Sequence, residues 1–197
     1  ILKIKQKAKT YGQTSASFIK EQLRLYNIEL EIHRNLKEIH TTLDTIEEIK
    51  EFLNEHTTLV PEFYQLSFRF QFATIFFFKK DYKQSLYWIN EILNRRNKKD
   101  RQDLILYTHW LNLLVHYEMG NGFTLRYLIS NLRKLIRKQK NIEPYEQIIL
   151  KFLSSTVDIP FIQKKTAINK LTNDLKENPV PDMVLGYLDF NQWILSK

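Results

Sequence analysis

Apolar residues recur along the middle of the chain with the spacing of paired amphipathic helices. Aromatic residues follow one another every four positions between 64 and 76, and apolar residues return at that spacing 43 positions later, between 107 and 119. The segment after each run repeats with the same shift, through Leu86, Ile89, Ile92, Ile129, Leu132 and Leu135. A fixed period of helix pairs is typical of a stacked helical array, which usually offers a binding surface rather than a catalytic centre.

The same periodicity divides the chain into helix pairs and predicts an all-α fold. We expect one helical-repeat domain over residues 1–197, with about nine helices in antiparallel pairs stacked as a short right-handed superhelical array. The pairs are predicted at about 15–56, 60–96, 101–140 and 143–178, followed by a capping helix at 182–195.

Local signals mark the ends of the predicted helices and their inner faces. Thr14 or Ser15 is expected to cap the first helix, and Asp81 the fourth. Apolar spacing predicts inward positions on the first two helices at Phe18, Leu25, Ile28, Ile32, Leu43, Ile46 and Ile49. The period of 43 residues further predicts that Phe72 and Val115 are buried at equivalent places, and likewise Ile89 and Leu132.

Small and aromatic residues alternate in the pair at 60–96. Ala73 is followed three positions later by Phe76, and Tyr82 three positions later by Ser85. In this the pair resembles a tetratricopeptide repeat, a family in which small residues let the two helices approach closely. The resemblance implies that Ala73 and Ser85 face each other at a close crossing, and it implies protein or peptide binding along a concave face.

The sequence also departs from the tetratricopeptide pattern. Lys80 replaces the family's turn glycine, Asn97 replaces its closing proline, and His116 stands in the following pair where Ala73 stood. The 43-residue period exceeds the 34 residues of that family and falls in the range of HEAT and armadillo repeats. As a whole the chain also resembles large helical-repeat proteins of unknown function from Bacteroidetes-type bacteria.

The positive charge of the chain is concentrated in its middle. The net charge is +8, and residues 63–151 hold 16 Lys and Arg against 7 Asp and Glu, so this segment carries all of the excess. The candidate partner-binding residues lie in its two densest runs and are Arg95, Arg96, Lys98, Lys99, Arg101, Arg133, Lys134, Arg137 and Lys138.

Two interpretations of these basic runs stay open at this point. Cations at a helix C-terminus complement the helix dipole and need no partner. Alternatively, the two runs form one basic edge that contacts an acidic protein segment or a phosphate backbone. Binding of single-stranded nucleic acid also requires exposed aromatic residues. Tyr87, Trp88, Tyr107 and Trp110 would serve only if they escape burial, and most aromatic residues are expected in the core.

Several classes of function receive no support from the sequence. The chain has no Cys, which suits a reducing compartment, and it has no apolar run of 18 residues that would span a membrane. His33 and His40, like His109 and His116, are seven positions apart, which is about 10 Å along a helix and too far to share one metal ion. No phosphate-binding loop, nucleophile elbow or zinc-protease motif is present.

Together these observations favour a binding role over catalysis. We expect a non-catalytic protein–protein interaction or scaffolding domain of a larger bacterial protein, cytoplasmic, without cofactor or metal, and cut from a chain that extends before Ile1. The alternative is a nucleic-acid-associated domain that uses the basic segment 79–140.

Overall fold

The structure is a computed structural model, which describes the larger part of the chain. The described residues are 15–36, 39–95, 101–139, 141–156, 159 and 161–197, and side chains are described for all of these except 33–36, 39–41, 161 and 162.

The described residues are helical and contain no strand, which confirms the all-α prediction. The helices are α1 (Ala16–Leu36), α2 (Ile39–Glu55), α3 (Glu62–Phe78), α4 (Tyr82–Leu93), α5 (Gln102–Glu118), α6 (Gly122–Gln139), α7 (Pro144–Thr156), α8 (Phe161–Glu177), α9 (Asp182–Leu185) and α10 (Phe190–Leu195). Asp81 caps α4 as predicted, since its Oδ1 accepts a hydrogen bond from the Gln84 amide at 3.1 Å. Ser15 caps α1 by accepting from the Phe18 amide at 3.1 Å.

The chain divides into two compact units, one up to Ile75 and one from Phe76 onward. In the first unit α1 packs along α2, and Gln71 of α3 donates a hydrogen bond from Nε2 to Oδ1 of Asn27 in α1, at 2.8 Å. In the second unit α4 to α8 pack in succession, each against the next. The grouping of all helix pairs into one domain stays a prediction.

The inner face of α1 is a different stripe from the predicted one. The buried residues of this stripe are Ile19, Leu23, Tyr26 and Leu30. Ile28 and Ile32 are exposed, and Phe18 and Leu25 are only partly buried, so the predicted stripe was wrong. Both stripes have helical spacing, and Tyr26 decides between them: its ring packs edge-on against Phe52 of α2. On α2, Ile46 and Ile49 are buried as predicted, whereas Leu43 lies at the exposed margin.

The turns that end α3 and α5 have the same geometry. The Lys80 and Asp81 amides donate to the carbonyls of Phe77 and Phe76, both at 2.9 Å. Forty positions later, Gly120 donates to the Tyr117 carbonyl at 3.1 Å and Asn121 to that of His116 at 3.0 Å. Lys80 and Gly120 both have a positive φ, 64° and 70°. Helices α3 and α5 also begin and end 40 residues apart, so the local structural period is 40 and not the predicted 43.

The burial predicted from the longer period holds nevertheless. By a period of 40, Phe72 corresponds to Asn112 and Ile89 to Ile129, so the predicted equivalence of Phe72 with Val115 and of Ile89 with Leu132 was wrong. Phe72, Val115, Ile89 and Leu132 are nevertheless all buried, as predicted. The reason is that the two periods differ by three residues, close to the 3.6 of one helical turn, so both assign nearly the same helix face to the core. The close crossing predicted between Ala73 and Ser85 stays a prediction, although both side chains are buried.

The two turns predict opposite effects of glycine on stability. Lys80→Gly should raise the free energy of unfolding by up to about 1 kcal/mol, because a left-handed conformation costs an L side chain energy that glycine does not incur. Gly120→Ala should lower it by about 1 kcal/mol, since a Cβ there meets no atom within 4 Å and only the backbone conformation is disfavoured. Urea unfolding followed by circular dichroism measures both. Equal signs for the two variants would contradict this account.

The predicted capping helix at 182–195 is two short helices. Helix α9 ends at Leu185, and α10 begins after Asp189, whose Oδ1 accepts from the Gln192 amide at 2.8 Å. Tyr187, between them, stacks on Tyr107 of α5 with ring centroids 4.5 Å apart. A cap and a stacked ring within the segment explain why one continuous helix does not form.

Candidate functional site

Helix α6 buries one apolar stripe and leaves the rest of its circumference facing outward. Its buried residues are Leu125, Ile129, Leu132 and Ile136, which repeat at helical spacing, and α6 packs against α5 and α7. The 18 residues of α6 include no Asp or Glu. Their charge is therefore entirely positive, and it lies on the faces that the apolar stripe leaves open.

Three arginines form a row along α6 that faces α7. Arg126, Arg133 and Arg137 recur at intervals of seven and four positions, which keeps them on one face of a helix. Together with Lys134 and Ser130 they line a groove of about 320 Å³, whose lining on the α7 side includes Ser154. We refer to Arg126, Arg133, Lys134 and Arg137 as the basic face of α6.

Three cations of the basic face, Arg133, Lys134 and Arg137, have little local compensation. No carboxylate among the described residues forms an ion pair with Arg133, Lys134 or Arg137. Lys134 and Arg137 are exposed, and Arg133 is half-buried. An arginine stays charged at every physiological pH, so the groove presents a permanent positive potential.

Two aromatic rings stand on the outer side of the same helix. Phe123 is 87% exposed and Tyr127, one turn further on, is 66% exposed. Lys134 lies on the same side, since it follows Tyr127 by seven positions. The sequence prediction placed most aromatic residues in the core and therefore missed both rings, as it missed Arg126. The signal available for the arginine row was the spacing of 126, 133 and 137.

The aromatic residues predicted as possible stacking surfaces are mostly buried. Trp88, Tyr107 and Trp110 belong to the core, and Tyr87 of α4 is exposed. Burial raises the pKa of Tyr107 to about 12, with nearby Glu146 adding to the effect. Three of the four named residues are therefore unavailable to a partner.

The predicted basic run before α5 is only partly described. Arg96, Lys98 and Lys99 lie outside the described residues, and Arg95 is half-buried after the end of α4. The single basic edge predicted from the two runs therefore stays a prediction. In the second run, Lys138 is exposed near the end of α6, beside the basic face.

Arg101 belongs to a polar cluster that links the start of α5 to the segment between α9 and α10. It caps α5 with φ of 53°, and its Nε and Nη2 donate to the Asp103 carboxylate at 2.9–3.2 Å. Tyr187 donates to Oδ2 of the same carboxylate at 2.7 Å. Burial by itself raises the pKa of Asp103, but the hydrogen bonds from Arg101 and Tyr187 outweigh it and hold the pKa below its ordinary value. The charge of Arg101 is thus neutralised within the chain, unlike the charges of Arg133, Lys134 and Arg137.

Other chemistry is sparse in the described part of the chain. No group of three or more His, Asp or Glu side chains there is placed to hold a metal ion. His116 is half-buried, which lowers its pKa, and its Nδ1 lies 3.2 Å from Nδ2 of Asn121. No described helix combines the length and the apolar character that crossing a membrane requires.

Comparison with known proteins identifies no relative from which a role for the surface of α6 could be inferred. No protein-family model matches the chain, and no curated protein or solved structure is similar to it. The groove, the charges and the exposed rings of α6 are therefore the features that bear on function.

Proposed function

We propose that this chain is a non-catalytic interaction domain that holds an acidic partner on the basic face of α6. In this proposal it serves a larger bacterial protein as a binding or scaffolding module. The observation that carries the proposal is the groove beside a helix without Asp or Glu, lined by Arg126, Arg133, Lys134 and Arg137. A cationic groove attracts anionic groups and raises their local concentration.

The arrangement of the helices supports a binding role as well. We propose a tetratricopeptide-like array in which the pairs stack with a repeated rotation. Its support is the successive packing of α4 to α8, together with identical hydrogen bonding in the turns at Lys80 and Gly120. A stacked array of this kind presents an extended surface on which a partner chain can lie.

The helix dipole does not account for the whole basic face. Cations in the last turns of α6, such as Arg137 and Lys138, are favoured by the negative helix end. Arg126, however, is only the fifth residue of α6, near the end where the dipole disfavours a cation. The dipole therefore does not explain why Arg126 lies in the same groove as Arg133.

The proposal is tested by removing charge from the basic face. We expect the triple variant Arg133→Gln, Lys134→Gln, Arg137→Gln to bind a fluorescein-labelled acidic probe at least about 10-fold more weakly than the parent, since each lost contact to a charged group is worth roughly 0.5–1 kcal/mol at an exposed site. The two probes are a polyglutamate peptide and a 15-nucleotide oligothymidylate, measured by fluorescence anisotropy at low salt. Folding should be retained, because surface changes usually stay within about 0.5 kcal/mol each.

A matched triple variant on α8 controls for net charge. Lys165, Lys170 and Lys176 are exposed and do not line the groove, so their replacement by Gln removes the same charge elsewhere. When both triple variants are compared at about 0.15 M salt, we expect this control to bind within about twofold of the parent, since exposed charges farther apart than the Debye length of about 8 Å are then largely screened. Failure of the parent to bind either probe, or equal losses in both triple variants, would overturn the proposed function.

A further inference from the structure

The exposed rings of α6 indicate the chemistry of the acidic partner. We propose that the outer surface of α6 binds single-stranded nucleic acid, with phosphates on the arginine row and bases stacked on Phe123 and Tyr127. This inference deepens the proposed function and rests on it. It names a single nucleic acid strand as the partner, whereas the proposed function requires only that the partner be anionic.

The geometry of α6 separates the two kinds of group that a single strand presents. At 100° per residue, Phe123 and Tyr127 lie about 80° around the helix from the row formed by Arg126, Arg133 and Arg137. The surface from Phe123 to Arg137 extends about 21 Å along the helix at 1.5 Å per residue, enough for several successive nucleotides. A strand lying along the mouth of the groove would therefore meet cations on the side of α6 that faces α7 and aromatic faces on the outer side of α6.

The exposure of the rings favours a single strand over a duplex or an acidic peptide. Phe123 and Tyr127 are the two most exposed aromatic residues among those described, and no ring of the described side chains contacts either of them. In a duplex the base faces are already stacked on each other and do not reach a protein ring. An acidic peptide uses the cations but leaves the rings without a partner. A single strand contacts the cations through its phosphates and the rings through its unpaired bases. Stacking of a base on an aromatic ring is worth about 1–3 kcal/mol.

The shape of the surface favours a strand over a lipid bilayer. Basic and aromatic residues together also bind anionic membranes, but there the amphipathic helix lies in the plane of the interface. Arg126, Arg133 and Arg137 instead line a groove that is walled on one side by α7 through Ser154. A chain can enter such a groove, whereas lipid headgroups in a plane cannot follow it.

The rings are tested separately from the charges. We expect Phe123→Ala and Tyr127→Ala each to weaken binding of the 15-nucleotide oligothymidylate about 10-fold, and Tyr127→Phe to stay within about twofold because the stacking face is kept. Met183→Ala is the matched control, since Met183 is another strongly exposed apolar residue, away from α6. The charge triple variant should reduce the slope of log affinity against log salt by about 2, at roughly 0.7 for each phosphate contact in a single strand.

Each further outcome decides between the two proposals. Polyglutamate binding with the loss expected for the charge variant, combined with no binding of oligothymidylate, would overturn the nucleic acid and leave the proposed function standing. Tighter binding to a 15-base-pair duplex than to the single strand would overturn the stacking of bases. So would unchanged affinity in both ring variants, with circular dichroism showing that they fold. Binding to vesicles of phosphatidylserine and phosphatidylcholine in preference to oligothymidylate would assign the surface to a membrane instead.

Discussion

Replacement of Phe72 by alanine is expected to lower the free energy of unfolding by about 3–5 kcal/mol. Phe72 lies in the second half of α3, where its side chain is fully buried, and its ring stacks on that of Phe68 at a centroid distance of 6.3 Å. Alanine removes the apolar area of the ring and leaves a cavity that neighbouring side chains fill only in part. Urea unfolding followed by far-ultraviolet circular dichroism reports this loss through the helices.

The same substitution elsewhere on α3 separates burial from helix propensity. Phe63 lies in the first turn of α3 and is 44% exposed, with its ring beside that of Tyr64. Phe63→Ala should cost less than about 1 kcal/mol, because little apolar area is lost and alanine favours the helix. Similar losses at Phe63 and Phe72 would show that the two positions are not distinguished by packing, contrary to the structure.

The helices themselves were predictable because their signals are local. The spacing of apolar residues and the caps at Ser15 and Asp81 depend on side chains within a few positions of each other. The face that α1 turns inward depends instead on Tyr26 meeting Phe52 of another helix. In such a helix the sequence spacing is compatible with either of two buried stripes, and tertiary packing determines which of them faces the core.

The repeat period shows a related limit of sequence comparison. A shift of 43 residues aligns apolar positions as well as a shift of 40 does, since the difference is close to one helical turn. The turns resolve the ambiguity, because a backbone hydrogen-bond pattern cannot slip by three residues without changing its partners. The turn at Lys80 was not recognisable in the sequence, because its positive φ is usually signalled by glycine and lysine does not favour it.

The candidate surface was only partly predictable. The cations near the end of α6 were evident as a run in the sequence, and Arg133, Lys134 and Arg137 line the groove. Arg101 was assigned to the same surface, but its charge is neutralised by Asp103 in a cluster completed by Tyr187, 84 residues further along the chain. No local pattern predicts so distant a partner. Conversely, aromatic residues usually signal the core, so exposed rings are recognised only in the folded chain.

Replacement of Trp193 by alanine is expected to cost about 3–5 kcal/mol and to release the C-terminal helix. Trp193 is buried, and its ring packs edge-on against Tyr117 of α5 and Phe152 of α7, at centroid distances of 5.8 and 6.1 Å. Phe190 of the same helix is also buried and packs edge-on against Trp110. These two rings anchor α10, a helix of six residues that cannot persist without packing. Faster amide hydrogen exchange throughout α10, together with a lower urea midpoint, would record the release.

Phenylalanine at position 193 separates packing from hydrogen bonding. The indole Nε1 donates to Oε1 of Glu118 at 2.7 Å, and the Lys197 amine binds the same oxygen. Trp193→Phe keeps a ring between Tyr117 and Phe152 but removes this donor, and we expect a loss of about 1–2 kcal/mol, because Lys197 continues to compensate the Glu118 charge. Helix α10 should then stay protected from exchange. If Phe and Ala at this position were equally damaging, the bond to Glu118 rather than aromatic packing would hold α10 in place. Glu118→Ala, which removes the acceptor, should then release the helix as well.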